Sequence, residues 1–193
     1  MSNIYFLFFL LLNITLIESI RLVDNDFFTP EMRNLVRKIY RLSMSEENIV
    51  MMNILVKRMK NLIDNRIYSR NGVDKEKFVN ISRLKESISP EEYGTYDIYT
   101  HREVVFDRGY QMSFETLYDP YTQEEFDEIA YKMSLMSDNH VYIGVWATGV
   151  ELSFWFEDFE LARTLSIIYN QMAIYSWGDE GEIDNEYYKE YSD

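Results

Sequence analysis

The chain contains no cysteine. That excludes a disulfide framework, a thiolate nucleophile and any zinc site built on thiolates. Small exported domains often rely on disulfides, so a Cys-free one must be held by its core alone. Histidine is nearly as scarce: the only two are His101 and His140, and the local sequence around each supplies no catalytic partner. Asp24-Asn25-Asp26 and the acids of 179–184 lack the central Gly and terminal Glu of a calcium loop. Gly144 and Gly149 do not form a phosphate-binding loop. Carboxylate pairs such as Glu124-Glu125 stand in first helical turns, where the helix dipole accounts for them. No catalytic residue, metal ligand or cofactor is therefore assigned. An enzyme whose site gathers scattered acids with His101 or His140 remains an alternative that no motif supports.

Ile4–Leu12 is wholly apolar, and Ile14, Leu16 and Ile17 extend it past Asn13. A bilayer span takes about 20 apolar residues, and a signal peptide needs a shorter core of this length. Ile17 and Ser19 would occupy the −3 and −1 positions of a cleavage after Ser19. The segment lacks the usual Lys or Arg ahead of its apolar core. A longer anchor would have to take in Glu18 and Arg21, each costing roughly 2.5–3.5 kcal/mol at such depth. A buried N-terminal strand would need cover on both faces. The expectation is a signal peptide at residues 1–19, export, and membrane contact only during export. A cytoplasmic chain that keeps this segment in its core is the alternative. In a eukaryotic secretory route, Asn80-Ile81-Ser82 would make Asn80 a glycosylation acceptor.

Of the 193 residues, 47% are hydrophobic and 16% aromatic. Disordered chains are poor in aromatics, so most of this chain should fold. The net charge of −14 is unevenly spread. Residues 21–89 carry fourteen Lys/Arg against nine Asp/Glu, whereas residues 90–193 carry five against twenty-three. An acidic half of this strength repels phosphate backbones, which excludes nucleic acid there.

In the basic part, Thr29-Pro30-Glu31 reads as a helix start: a hydroxyl cap, Pro in the first turn and an acid at the positive dipole end. Met32, Leu35, Val36, Ile39 and Leu42 follow at helical spacing. Ser43 to Glu46 matches a capping box for a second helix. Its apolar set, from Ile49 through Ile63, is broad enough to be buried on more than one side. Lys57, Arg58 and Lys60 mark its exposed edge. The two helices should form an antiparallel pair. Their basic residues suit either an anionic surface or plain solvation, with the acidic half as partial neutraliser. Asn71-Gly72 reads as a turn, Lys75–Ser87 as a short charged helix, and Ser89-Pro90 as a boundary. The expected organisation is thus a basic helical segment over 20–89 and an α+β domain over 90–178.

Within that domain, Val104–Phe106 and Tyr110–Thr116 read as a strand or hairpin. Thr122 and Glu125 open a helix with a second capping box. His140–Ala147 and Val150–Phe156 read as strands joined by a turn at Thr148-Gly149. Asp158 caps a helix carrying Leu161, Ala162, Leu165, Ile168 and Met172, and Ala173–Trp177 reads as a last strand. The order β-α-β-β-α-β predicts a ferredoxin-like fold, with two helices on one face of a four-stranded antiparallel sheet. The acidic stretch 179–193 lacks periodicity and reads as a disordered tail, in which Tyr187, Tyr188 and Tyr191 have acidic neighbours.

Alternation along the strands sorts residues between the faces. Tyr110, Met112, Phe114, Val141, Ile143, Val145, Leu152, Phe154 and Phe156 should meet the helices. Gln111, Ser113, Glu115, Tyr142, Gly144, Trp146, Glu151, Ser153, Trp155 and Tyr175 should line the other face. Tyr142, Trp146, Trp155 and Tyr175 are the candidate binding residues, because Trp and Tyr dominate binding hot spots. Alternatively, the helical pair of residues 30–63 lies across this face and buries it. The sheet face has the placement of an RNA-recognition platform, but the Lys/Arg-Gly-aromatic signature is missing and the charge has the wrong sign. The sequence therefore points to an exported, non-enzymatic interaction protein that presents an aromatic, acidic face to a protein partner. An intracellular acidic regulator, such as a viral or mobile-element inhibitor mimicking a polyanion, is the competing class.

Overall fold

A computed structural model describes residues 27–44, 48–70, 77–87, 94–137, 141–146 and 149–188, with the backbone alone at Trp146. The candidate leader at 1–19, the Asn71-Gly72 turn, the Ser89-Pro90 boundary, His140 and Tyr191 lie outside the described residues.

Helix α1 (Pro30–Ser43) begins where its caps require: the Thr29 hydroxyl accepts from the Met32 amide, and Pro30 occupies the first turn. It buries Met32, Leu35, Val36 and Ile39. Ser43 is the last residue of α1 rather than the cap of the next helix, and its hydroxyl donates to the Tyr40 carbonyl. Helix α2 (Ile49–Tyr68) follows Asn48, which makes no side-chain cap bond. It buries Met52, Met59, Ile63 and Ile67 and leaves Ile49, Val50, Met51 and Ile54 exposed. The broad apolar set read from the sequence is therefore covered on one side only. A short helix α3 (Ile81–Ser87) precedes strand β1 (Gly94–Asp97).

Strand β2 (Tyr110–Tyr118) leads into helix α4 (Gln123–Met136), whose capping box is fully formed between Thr122 and Glu125. Strands β3 (Val141–Trp146) and β4 (Gly149–Phe156) pair as a hairpin. Helix α5 (Phe159–Ile168) starts at Asp158, whose carboxylate accepts from the Leu161 amide. Met172, expected on its apolar stripe, lies beyond the helix and is exposed. Strands β5 (Ala173–Ser176) and β6 (Gly181–Asp184) complete the chain. The fold is α+β, with five helices and one six-stranded antiparallel sheet among the described residues, in the order β1-β3-β4-β2-β5-β6.

The sequence predicts four strands. The two additional ones, β1 and β6, are four residues each and sit at the edges, where so short a span gives alternation little to register. Part of the expected disordered tail is thus strand β6, held to β5 by paired backbone. Its continuation is tied down as well, because the Tyr187 hydroxyl donates to the Ser43 carbonyl at 2.9 Å. Val104–Phe106 is not a strand; Glu103 makes an isolated bridge to Tyr96, and the chain then leaves the sheet.

Three layers follow from the packing. Helix α5 lies on β2, β4 and β5, while α1 and α2 pack on the far side of α5, and α2 also touches α4. Sandwiched this way, α5 buries even Thr164 and Ser166, and the Thr164 hydroxyl donates to the Val36 carbonyl of α1 at 3.4 Å. The helical pair covers the helix layer, so it does not lie across the aromatic sheet face. Phe154 is 2% exposed and touches the Phe114 and Phe156 rings, which places the helix-facing register as alternation predicts. Phe154→Ala should destabilise the protein by about 3–5 kcal/mol. Urea denaturation will read this as a lowered midpoint at unchanged slope, whereas an unchanged midpoint would contradict that burial.

Candidate functional site

The second face of the sheet is a trough. Its rows are set by the strand register: Asp97, Tyr142, Ser153 and Ser113 lie level across β1, β3, β4 and β2. Trp155, Gln111, Tyr175 and Glu182 form another row toward the opposite edge. Thr95 on the edge strand β1 donates to Gln111 Oε1 on β2 at 3.4 Å, although two strands lie between them in the sheet. Only a strongly curled sheet brings those side chains together.

What fills the trough is the chain itself. After β1 the backbone turns at Ile98–Thr100, passes His101 at φ 61°, and returns antiparallel, with Arg102 and Thr95 carbonyls accepting from Asp97 and Val104 amides. Residues 104–109 then cross the face as a strap. Phe106 stacks on Trp155 at 5.0 Å and 15°, and meets Tyr142 at 5.1 Å and Trp177 at 5.3 Å edge-on. Both indole N–H groups are used internally. Trp155 donates to the Arg108 carbonyl and Trp177 to Gln111 Oε1, each at 3.0 Å. Gln111 in turn donates to Ser153 Oγ at 2.7 Å. The strap ends at Gly109, where φ is +92° and a Cβ would stand 2.6 Å from the Trp155 indole nitrogen. Glycine is required there by both conformation and contact.

The four residues singled out by sequence have different fates. Tyr142 is 8% exposed beneath Phe106, and burial together with the nearby Asp97 carboxylate raises its pKa. Trp155 is half-buried in the stack, and Tyr175 is 36% exposed at the rim against the edge of Trp177. Trp146 pairs with Gly149 at the end of the hairpin, and its side chain lies outside the described atoms. Asn80 is exposed just before α3, where its side-chain oxygen accepts from the Arg83 amide. His101 is exposed on the turn after β1. Sequence reasoning missed Phe106 and Trp177, which complete the aromatic cluster. Val104-Val105-Phe106 carries an apolar pattern indistinguishable from a strand, and nothing local shows that the chain lifts off there.

One expected register also shifts. A bulge between Ser113 and Glu115 sets Glu115 opposite Leu152 and Thr116 opposite Glu151. Thr116 therefore takes the place in the trough that alternation gives to Glu115. Glu151 itself is largely buried. That burial, opposed by the adjacent Ser113 hydroxyl and reinforced by the Glu182 carboxylate, pushes its pKa up to about 7.

Toward the Trp177 end of the cluster the surface is acidic. Asp107, Asp179, Glu180 and Glu182 are exposed, with Glu182 level with Tyr175, and the one strap cation Arg108 pairs with Glu157 at 2.6 Å. Among the described residues no group of three His, Asp or Glu side chains could hold a metal ion, and no helix is long and apolar enough to cross a membrane. No family model, curated protein or solved structure matches the chain.

The Glu151 carboxyl gives a pH signature. Its folded pKa lies above its ordinary value, so the native state holds the proton more tightly and is most stable, in this respect, below the ordinary carboxylate range. Stability should fall as pH rises from about 4.5 to above 7, by about 3 kcal/mol from this group. Comparing urea midpoints of the wild type and Glu151→Gln between pH 4 and 8 isolates the effect, because the variant should lack that fall. Parallel profiles would show that Glu151 is solvated.

Proposed function

We propose that this chain is a non-enzymatic interaction protein, exported behind a leader at residues 1–19, that binds a basic protein segment at the acidic rim of its aromatic trough. The observation that carries the reading is the run of ring contacts from Phe106 to Trp177 to Tyr175, with Glu182 level with Tyr175 and exposed Asp107 and Asp179 next in the chain to Phe106 and close after Trp177. Aromatic rings ordered by packing offer contact area at little entropic cost, and a carboxylate rim favours Lys and Arg over other partners. Of the residues nominated by sequence, Tyr175 fits this role directly. Tyr142 and Trp155 act through the ring stack that holds the rim in place, and Trp146, whose backbone ends β3, is given no part in the rim. We further propose that β2-α4-β3-β4-α5-β5 is a ferredoxin-like unit extended by one strand at each edge. The inner order β3-β4-β2-β5, with both helices on one face, supports it.

The test uses protein recovered from the medium of its host, where a mature chain beginning at Ile20 would check the export step. Heptapeptides carrying Lys or Arg with one aromatic residue serve as the probe, read by fluorescence polarisation. They should bind in preference to their Glu-substituted counterparts. Glu182→Lys and Tyr175→Ala should each weaken binding by about tenfold or more without lowering the melting temperature. Equal binding of acidic and basic peptides, or indifference to Glu182→Lys, would overturn the proposal.

A further inference from the structure

Strands β1 and β6 end the sheet, and among the described residues only the β1 end is closed by neighbouring backbone. There the chain returns on itself: the Asp97 amide donates to the Arg102 carbonyl and the Val104 amide to the Thr95 carbonyl. Beyond β6 no described backbone is bonded. Two contacts fix which groups that open edge presents. The Trp177 amide donates to the Gly109 carbonyl, so Tyr175, two residues earlier and opposite Gln111, also turns its amide and carbonyl toward β2. Its partner on β6, Glu182, therefore turns both groups away from β5. From the other end, the Asn185 amide donates to the Met172 carbonyl, which sets the same phase and turns Asp184 outward as well. The edge thus offers the N–H and C=O of Glu182 and of Asp184, while Ile183 between them is directed at Ile174 of β5.

We propose that the basic segment taken by the acidic rim binds by adding to the sheet as an antiparallel strand beside β6, with Lys or Arg opposite Glu182 and Asp184 and an apolar residue opposite Ile183. This rests on the reading of the rim given above and names the way its partner is held. Extended peptides capture open sheet edges through main-chain bonds, and their alternate side chains give the specificity. Every strand pair of this sheet is antiparallel, and an antiparallel addition exchanges bonds directly at Glu182 and Asp184. Alternation puts Glu182, level with Tyr175, and Asp184 on the trough side. Ile183 takes the helix side, where it packs against the core. Both acids are exposed, and among the described residues no cation pairs with either. Opposite charges directly across a strand pair stabilise it and like charges oppose it. An antiparallel second copy of β6 would set carboxylates against carboxylates on the trough side, so the edge selects a cationic strand over its own kind.

Fluorescence polarisation with the full chain and a labelled heptapeptide of alternating Lys and Val tests the proposal. In the bound register the Lys amides face β6 and the Val amides face solvent. Nα-methylation of the two central Lys should therefore weaken binding by about tenfold or more, whereas the same modification at two Val should change it by no more than about twofold. A peptide of the same composition with its Lys residues contiguous should also bind more weakly, because the cations then divide between the two faces. The protein supplies a second arm. Asp184→Pro and Asp184→Ala remove the same charge, but only proline removes the outward amide, which β5 does not use. Asp184→Pro should bind about fivefold more weakly than Asp184→Ala, at a similar melting temperature. Basic peptides that bind equally whichever amides are methylated, or two Asp184 variants that bind alike, would overturn strand addition and leave the basic-segment reading standing. Failure of every basic peptide to bind would remove both.

Discussion

Phe106 lies parallel to Trp155 at 5.0 Å, and that single stack decides which surfaces the protein has left to offer. A sheet whose second face carries Tyr142, Trp155 and Tyr175 cannot leave all of them in water without a large apolar exposure. The helices are already committed to the other face, where α5 is buried between the sheet and the α1–α2 pair. Cover for the trough must therefore come from a connection, and the strap between β1 and β2 supplies it. Gly109 permits the strap to descend onto the indole, and Gln111 ties Trp177, Ser153 and Thr95 together beneath it. The result is an aromatic cluster that is structural at its centre and available at its rim.

The charge division acquires a physical meaning in this arrangement. Many basic residues belong to α1 and α2, on the outer helical layer, whereas exposed acids lie on the strap, around β6 and along α4. The two halves do not neutralise each other by direct apposition of helix on sheet face. At the helix layer they do meet: Arg37 and Arg41 lie close enough to Glu160 to oppose the rise of its pKa, and Lys85 pairs with Asp119 at 2.8 Å.

Much of the framework was legible in the residues because it rests on local chemistry. Thr29, Thr122 and Asp158 cap the helices they announce, and Ile143, Leu152, Phe154 and Phe156 share the buried face by simple alternation. Features that depend on contacts distant in sequence were not legible. Strands β1 and β6 exist because an edge is available to pair with, and neither has the length to declare itself. The bulge beside Phe114 shifts the register from one set of residues to the other without a glycine to mark it. The placement of α1 and α2 on α5 depends on the shape of a helix layer that the sequence does not express. In the candidate site, alternation marks Trp155 and Tyr142, and it would equally have marked Trp177, two positions after Tyr175, whereas Phe106 is hidden in a strand-like triplet.

The most direct measurement is the environment of the Trp155 ring. A chain in which Trp146 and Trp177 are replaced by phenylalanine leaves one indole to observe. With Phe106 stacked on that ring, its emission should be blue-shifted and resistant to acrylamide quenching in the native state. Adding Phe106→Ala should move the emission to the red and restore quenching while the fold persists. A freely quenched, red-emitting Trp155 in the presence of Phe106 would mean that the trough is open and that the strap does not close it.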